Sequence, residues 1–359
     1  MIDRTLYNQP LVSICIPTYN NARFLRESLD SIVNQTYSNK EIIVSDNAST
    51  DGTKEIADEY VKKYGVRYYR NAKTVDMYDN FNRCINLAHG EFVAIYHSDD
   101  IYRVNIVEKE ANFLQSHSNA GAVFTSGSSI NEKGETIGTF NLPKELKGKD
   151  IYTFEDIYIT LLKYGNILSC PTCMVRKDVH KEVGFYDVRR FGRPADLAMY
   201  LKILEKFPIG IIDESLHKYR ISKTQGIKQW HYLRTKRNDV FLVMEYFLKS
   251  KALQDVSIEK RVLRMYEARK SIEDLYCAMN LLMLGKNSEA KKMILRSFSL
   301  DAFKSSFESV KSLEYTIVRL ILTVGTCIGL GKYLWRIFYK IKYKMELNEQ
   351  EIAKFYSNP

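Results

Sequence analysis

No stretch of this 359-residue chain reaches the ~18 uninterrupted apolar residues that a spanning helix needs, which excludes a polytopic membrane protein. The first ten residues lack a basic segment followed by an apolar one, so no secretory signal is expected and the chain reads as cytosolic. Neither a GxGxxG nor a Walker loop occurs, which counts against dinucleotide-binding and NTPase readings. Cysteine is sparse, with six residues, and only Cys170 and Cys173 stand close together. A zinc site would need a second pair, so reduced structural thiols within an extended segment are the expectation there.

What is present is a globular composition, 45% hydrophobic and 27% charged. Lys and Arg outnumber Asp and Glu by 53 − 43 = 10, which points to an anionic partner. Half of that excess lies in Lys332, Arg336, Lys340, Lys342 and Lys344, a stretch without acidic residues. No nucleic-acid recognition module accompanies it, so nucleic acid is not expected and an anionic membrane surface is. The apolar core just before it runs for twelve residues, 320–331. As a helix it would span roughly 18 Å, against a hydrocarbon core of about 30 Å. It is expected to lie in the interface, or to pack as an oligomerisation helix, rather than to cross.

Short apolar runs alternate with amphipathic ones along the first hundred residues. Strands are expected at 12–16, 41–44, 66–69 and 91–96, and helices at 24–35, from Thr53 to the stop at Gly65, and at 78–88. The pattern predicts an α/β fold, a Rossmann-like, mostly parallel sheet with helices on both faces. From residue 104 to 220 the signals are mixed, with strands near 121–126 and 173–176 and a helix near 196–207. Beyond residue 225 long helical patterns take over at 239–249, 258–284 and 288–297. The chain therefore divides into an α/β domain over 1–225, a helical domain over 226–310 and an apolar-basic segment over 311–359.

In an open parallel sheet, ligands bind beyond the carboxyl ends of the strands. Those ends deliver Pro17, Thr18, Tyr19 and Asn21 from the first strand, Asp46 and the loop to Asp51 from the second, and Ser98, Asp99 and Asp100 from the fourth. Gathered carboxylates need a positive partner, and a phosphate ligand without a glycine loop needs a divalent ion. Asp99 and Asp100 suit Mg²⁺ or Mn²⁺. Taken singly, an aspartate after a strand is often a turn residue or a helix cap, and Asp51 fits that reading too.

The segments VSICIPTYNN (12–21), SIVNQT (31–36), VSDNASTDGT (44–53) and AHGEFVAIYHSDD (88–100) follow one another in a set order. With VGFYD (183–187) and DLAMYLK (196–202), they resemble the family 2 glycosyltransferases of the GT-A fold over residues 10–220. The resemblance implies an inverting, metal-dependent transfer of a sugar from a nucleotide-diphosphate donor, UDP-linked, to a glycan or lipid-linked acceptor. It further implies bacterial cell-surface polysaccharide synthesis at the inner membrane face. By the same resemblance Pro17, Thr18, Tyr19, Asn21, Asp46, Asp51, Ser98 and Asp99 line the nucleotide, joined by Lys73, Asn80 and Asn82. Asp99 and Asp100 hold the cation, and Asp196 is the general base. Two departures stand out: Ala195 replaces the Glu that often precedes the base, and His97 occupies an acidic position of the longer metal motif. His217 is a candidate for a further metal or diphosphate contact, and Arg220 and Lys223 for contacts to diphosphate or a lipid-linked acceptor. A nucleotidyltransferase or a non-catalytic sugar-nucleotide binder are the alternatives.

Overall fold

The computed structural model describes residues 9–222, 234–253, 255–298, 317–318, 320–325 and 333. Strand β1 (Val12–Thr18) is buried along its whole length, as a strand covered on both faces must be. It pairs in parallel with β2 (Lys40–Asp46) and β4 (Phe92–Ile95), and β2 pairs in parallel with β3 (Arg67–Arg70). Three crossover helices connect them: α1 (Ala22–Val33), α2 (Thr53–Tyr64) and α3 (Met77–Leu87). Helix α1 buries Phe24, Leu25, Ser28, Leu29 and Ile32, one face at three-and-four spacing. Helix α2 stops at Gly65, whose φ of 71° turns the chain left-handed at no steric cost. Asp76 caps α3 by accepting from the Tyr78 amide at 2.8 Å.

The chain continues through β5 (Ile101–Tyr102), α4 (Ile106–Ser116), β6 (Ala122–Ile130), β7 (Thr136–Thr139), β8 (Ile151–Tyr152) and α5 (Phe154–Tyr164). It then forms β9 (Cys173–Arg176), α6 (Lys177–Val183), α7 (Val188–Phe191), α8 (Ala195–Leu204) and β10 (Ile209–Arg220). One ten-stranded sheet runs β3-β2-β1-β4-β9-β6-β10-β5, with β7 on β6 and β8 on β10. The fold is α/β, and the sheet is mixed. Strands β3, β2, β1 and β4 are parallel, as are β6 and β10, but β9 lies antiparallel between β4 and β6. A hydrophobic run locates a strand without giving its direction, which is why this insertion is invisible in the sequence. The Cys170–Thr172 segment is a 3₁₀ turn and not extended, with Pro171 in it, and β9 begins only at Cys173. Cys15, Cys84, Cys170, Cys173 and Cys277 are all free and buried.

The described residues form two compact units, one of residues 9–222 with 250–252, the other of the remainder. In the second unit a 28-residue helix, Val256–Met283, turns through Gly285 into Asn287–Arg296. Leu275, Ala278, Leu282, Ala290, Ile294 and Leu322 make its core. Arg234 and Arg237 each grip the long helix with two bonds, to Glu273 at 2.5 and 2.6 Å and to Asp274 at 2.6 and 2.7 Å. No helix among the described residues is long and apolar enough to cross a membrane. Lys223 and most of the apolar-basic segment lie outside the described residues.

Gly90 enters β4 where the backbone of β1 leaves no room. A Cβ there would sit 2.6 Å from the Leu11 carbonyl oxygen and 2.7 Å from the Ser13 nitrogen. Gly90→Ala should lower stability by about 1–3 kcal/mol, read as a drop in urea midpoint at unchanged slope.

Candidate active site

Because β2, β1 and β4 are adjacent and parallel, their carboxyl ends open on one edge of the sheet. The loops leaving them are sewn together. The Asn47 amide donates to the Thr18 carbonyl at 2.8 Å, and the Asn20 amide donates to Ser49 Oγ at 2.9 Å. In return Asn20 Oδ1 accepts from the Thr50 amide at 2.8 Å. Asn21 Nδ2 reaches Ser98 Oγ at 2.8 Å, joining the β1 loop to the β4 loop. Asn20 and Ala48 adopt φ of 46° and 62°, a left-handed conformation that costs a non-glycine residue about 1–2 kcal/mol. Tyr19, at the tip, is 51% exposed and offers an open aromatic face. Pro17 and Thr18 are buried beneath it.

Several candidates have internal partners. Asp46 is fully buried, accepting from the Ser49 amide at 2.9 Å and the Tyr68 hydroxyl at 2.6 Å. Asp51 links two helix starts, accepting from the Ala22 amide at 2.9 Å and the Thr53 amide at 3.0 Å. Burial opposes its ionisation, but the bonds from Thr53 and the Ala22 amide outweigh it and hold its pKa below the usual range. The Asn80 amide group is engaged with Ser45 Oγ at 2.8 Å and the Ser45 carbonyl at 2.9 Å. Asn82 exchanges two bonds with the Tyr186 backbone, at 2.9 and 3.0 Å, and so fastens α3 to the VGFYD segment. Lys73 stands exposed between β3 and α3.

The β4 tip carries the densest chemistry. Asp100 is fully buried. Its Oδ2 lies 2.8 Å from His217 Nε2 and its Oδ1 accepts from the Arg220 amide at 2.8 Å. Arg220 is buried as well, and its guanidinium is directed inward. Nε donates to the Asp99 carbonyl at 2.8 Å, and the two terminal nitrogens reach the Asn131 and Glu132 carbonyls and, at 2.6 Å, the Glu27 carboxylate. The guanidinium also stacks on Phe24, 4.6 Å from the ring centre. Arg220 therefore positions the Asp99–Asp100 turn; the diphosphate contact expected of it is corrected to this internal one, because its donors point at protein oxygens.

Asp196 opens α8 in the first turn, its Oδ1 accepting from the Leu197 amide at 2.8 Å. Burial raises its pKa, opposed by the bonds from the Leu197 amide and the Tyr78 side chain and by the nearby His97 ring. Tyr219 joins the two acidic centres: burial pushes its hydroxyl well up, and the charges of Asp100, Asp99 and Asp196 push it further. Tyr78, Tyr219 and Glu27 escape a reading of motifs because none follows a strand tip; only Tyr219 has a sequence marker, its neighbour Arg220 at the close of β10.

His97, Asp99 and Asp100 each offer a ligand atom within 4.8 Å of the others. Oxygen ligands at about 2.0–2.6 Å from an ion can stand about 4–5 Å apart on opposite sides of it, so the three donors fit a single divalent cation. His97 Nε2 is buried with no hydrogen-bond partner, which leaves the imidazole able to serve as a ligand.

The sequence profile for glycosyl transferase family 2 matches residues 13–184. An uncharacterized glycosyltransferase of Rickettsia felis is 31% identical over 225 residues, 61% of this chain. The chain spans only 36% of that relative's length. EpsE of Bacillus subtilis, which carries a provisional glycosyltransferase name, is 30% identical over 59% of this chain and 73% of its own. The fold is shared with the crystal structure of residues 1–349 of S. aureus TarS in complex with UDP-GlcNAc. That similarity has a TM-score of 0.60 at 16% identity and covers 94% of this chain and 93% of TarS 1–349.

Arg220→Ala would leave the Asp99, Asn131 and Glu132 carbonyls without their donors, at a cost of about 2–4 kcal/mol. We expect that loss in chemical denaturation, together with a loss of activity that Arg220→Lys does not restore, since an ammonium cannot reproduce the planar fork.

Proposed function

The chain belongs to glycosyltransferase family 2, and from that premise we propose an inverting, divalent-cation-dependent transferase. It moves a sugar from a nucleotide-diphosphate donor, UDP-linked, to a hydroxyl of a glycan or glycolipid. The observation that carries this reading is the gathering of two unlike acidic centres. One is the His97–Asp99–Asp100 cluster at the β4 tip, the other Asp196 at the head of α8, with Tyr219 feeling the charge of both.

The residues divide the work by environment. Tyr19 is exposed and suits stacking on a nucleobase, with Asn21 and the β2 loop beside it. Asp99 is partly exposed, while Asp100 is held from behind by His217 and Arg220, as ligating carboxylates are in metal sites. A bound cation supplies positive charge where the diphosphate leaves. Asp196 takes the proton of the acceptor hydroxyl as the oxygen attacks the anomeric carbon from the side opposite the leaving group. A sugar hydroxyl is a poor nucleophile at neutral pH, so a carboxylate of raised basicity helps. Ala195 presents no carboxylate, so the Leu197 amide, not a neighbouring Glu, orients the base, with the Tyr78 hydroxyl held nearby on the Arg193 carbonyl.

The TarS structure was solved with UDP-GlcNAc, which favours a UDP-linked donor over other nucleotides. A purely binding role would leave Asp196 without a task, whereas catalysis uses its raised pKa.

Asp196→Asn keeps the shape and removes the base. Transfer from the preferred donor, found by screening UDP-, GDP- and dTDP-sugars with Mn²⁺, should fall by roughly 10²–10⁴-fold while donor binding persists. In the parent protein the acid limb of the kcat profile should lie above the ordinary carboxylate range, since the base works only when ionised and burial raises its pKa. Near-parental transfer by Asp196→Asn would remove the residue from the mechanism.

A further inference from the structure

We propose that His97 contributes an imidazole nitrogen to the divalent-cation site it shares with Asp99 and Asp100, and that this nitrogen makes the site favour Mn²⁺ over Mg²⁺. The inference rests on the metal-dependent reading above and concerns which ion the site selects.

Three observations lead there. The ligand atoms of the three side chains lie within 4.8 Å of one another. The Nε2 of His97 is buried and has no hydrogen-bond partner, an expensive condition for a ring nitrogen unless something fills the vacancy. Its Nδ1 lies 3.8 Å from Asp100 Oδ2, outside hydrogen-bond range, which places the imidazole beside that carboxylate without tying it there.

The backbone is fixed for that task. The His97 amide donates to the Tyr102 hydroxyl at 2.7 Å, and the His97 carbonyl accepts from Ser28 Oγ at 3.1 Å. Tyr102 is itself stacked on Tyr96, with ring centres 4.1 Å apart. Phe81 lies against the imidazole at 5.9 Å between centres. The ring is thus held beside the two carboxylates by neighbours that are not ligands, the arrangement that lets a ligand bind without reordering.

The donor chemistry then decides the ion. Mg²⁺ demands oxygen ligands and gives up water reluctantly, so two carboxylates with water and phosphate oxygens suit it. Replacing one oxygen by imidazole nitrogen shifts preference away from Mg²⁺ towards first-row transition ions, and among these Mn²⁺ keeps the strongest liking for the carboxylate, water and phosphate oxygens that make up the rest of the set. An aspartate at position 97 would restore an all-oxygen set.

Titration of the full chain with Mn²⁺, followed by the electron paramagnetic resonance of the free ion, measures the affinity directly, with and without UDP. Mg²⁺ is read by competition. The wild type should bind Mn²⁺ roughly tenfold or more tightly than Mg²⁺. His97→Gln should weaken Mn²⁺ by roughly tenfold or more and Mg²⁺ by less than about threefold, and His97→Asp should close the gap by strengthening Mg²⁺. The electron spin echo of bound Mn²⁺ should carry nitrogen coupling that His97→Gln removes. Unchanged circular dichroism in both variants shows that the fold is intact. Should His97→Gln bind Mn²⁺ within twofold of wild type and keep the nitrogen coupling, the ligand assignment is overturned while metal dependence stands. Should the wild type bind no Mn²⁺ under either condition, both fall together.

Discussion

A buried carboxylate shared between an imidazole and a main-chain amide organises the working edge of this protein. Asp100 has no access to water, so its charge must be met by fixed donors. His217 and the Arg220 amide supply them, both from the end of β10. Two strands separate the partners in the sheet: β4 carries Asp100, β9 and β6 follow, and then comes β10. The bond pair thus ties the β4 tip across β9 and β6, and Arg220 extends the tie to α1 through Glu27 and to the turn after β6 through the Asn131 and Glu132 carbonyls. Since half of the Glu27 side chain faces solvent, its ion pair contributes little by itself. What matters is that one rigid fork satisfies oxygens from two loops and a helix at once.

A second set of constraints acts at the β1 and β2 tips. Asn20 and Ala48 hold left-handed conformations that a non-glycine residue avoids, and each loop supplies the bonds that hold the other in place. Asp51 adds a bridge between the first turns of α1 and α2, where orphan amides gather and negative charge is favoured. The site is therefore built before any ligand arrives, at the cost of local strain that the cross-links offset.

The parts of this arrangement that sequence reveals are those set by burial and spacing. The run 12–16 is apolar throughout because β1 is covered on both faces, and the helical stripe from Phe24 to Ile32 follows from the same core. Gly65 stops α2 as expected, and Cys173–Arg176 forms a strand at the anticipated place. Strand β10 is another matter. Its register shifts between Ile212 and Ser215 and again before His217, with Asp213 and Glu214 outward, so alternation is lost in mid-strand. That one irregularity hides the element that carries His217, Tyr219 and Arg220. Spacing also places residues at strand tips without saying which way they turn. Asp46 and Asn80 occupy the anticipated neighbourhood but face inward onto Ser49, Tyr68 and Ser45, because a loop crowded with amides needs internal acceptors.

The contrast between Asp100 and Asp196 shows how one edge can host two carboxylates of different character. Asp100 is met by an imidazole and an amide on its two oxygens, and the turn is built around it. Asp196 is buried with thinner support, the Leu197 amide bond chief among it, and its affinity for a proton rises accordingly. Tyr219 experiences both centres and keeps its proton, since every charge around it disfavours a phenolate. Under the proposed transfer, the proton-seeking carboxylate is the one suited to take a hydroxyl proton, and the anchored one to shape the turn beside it.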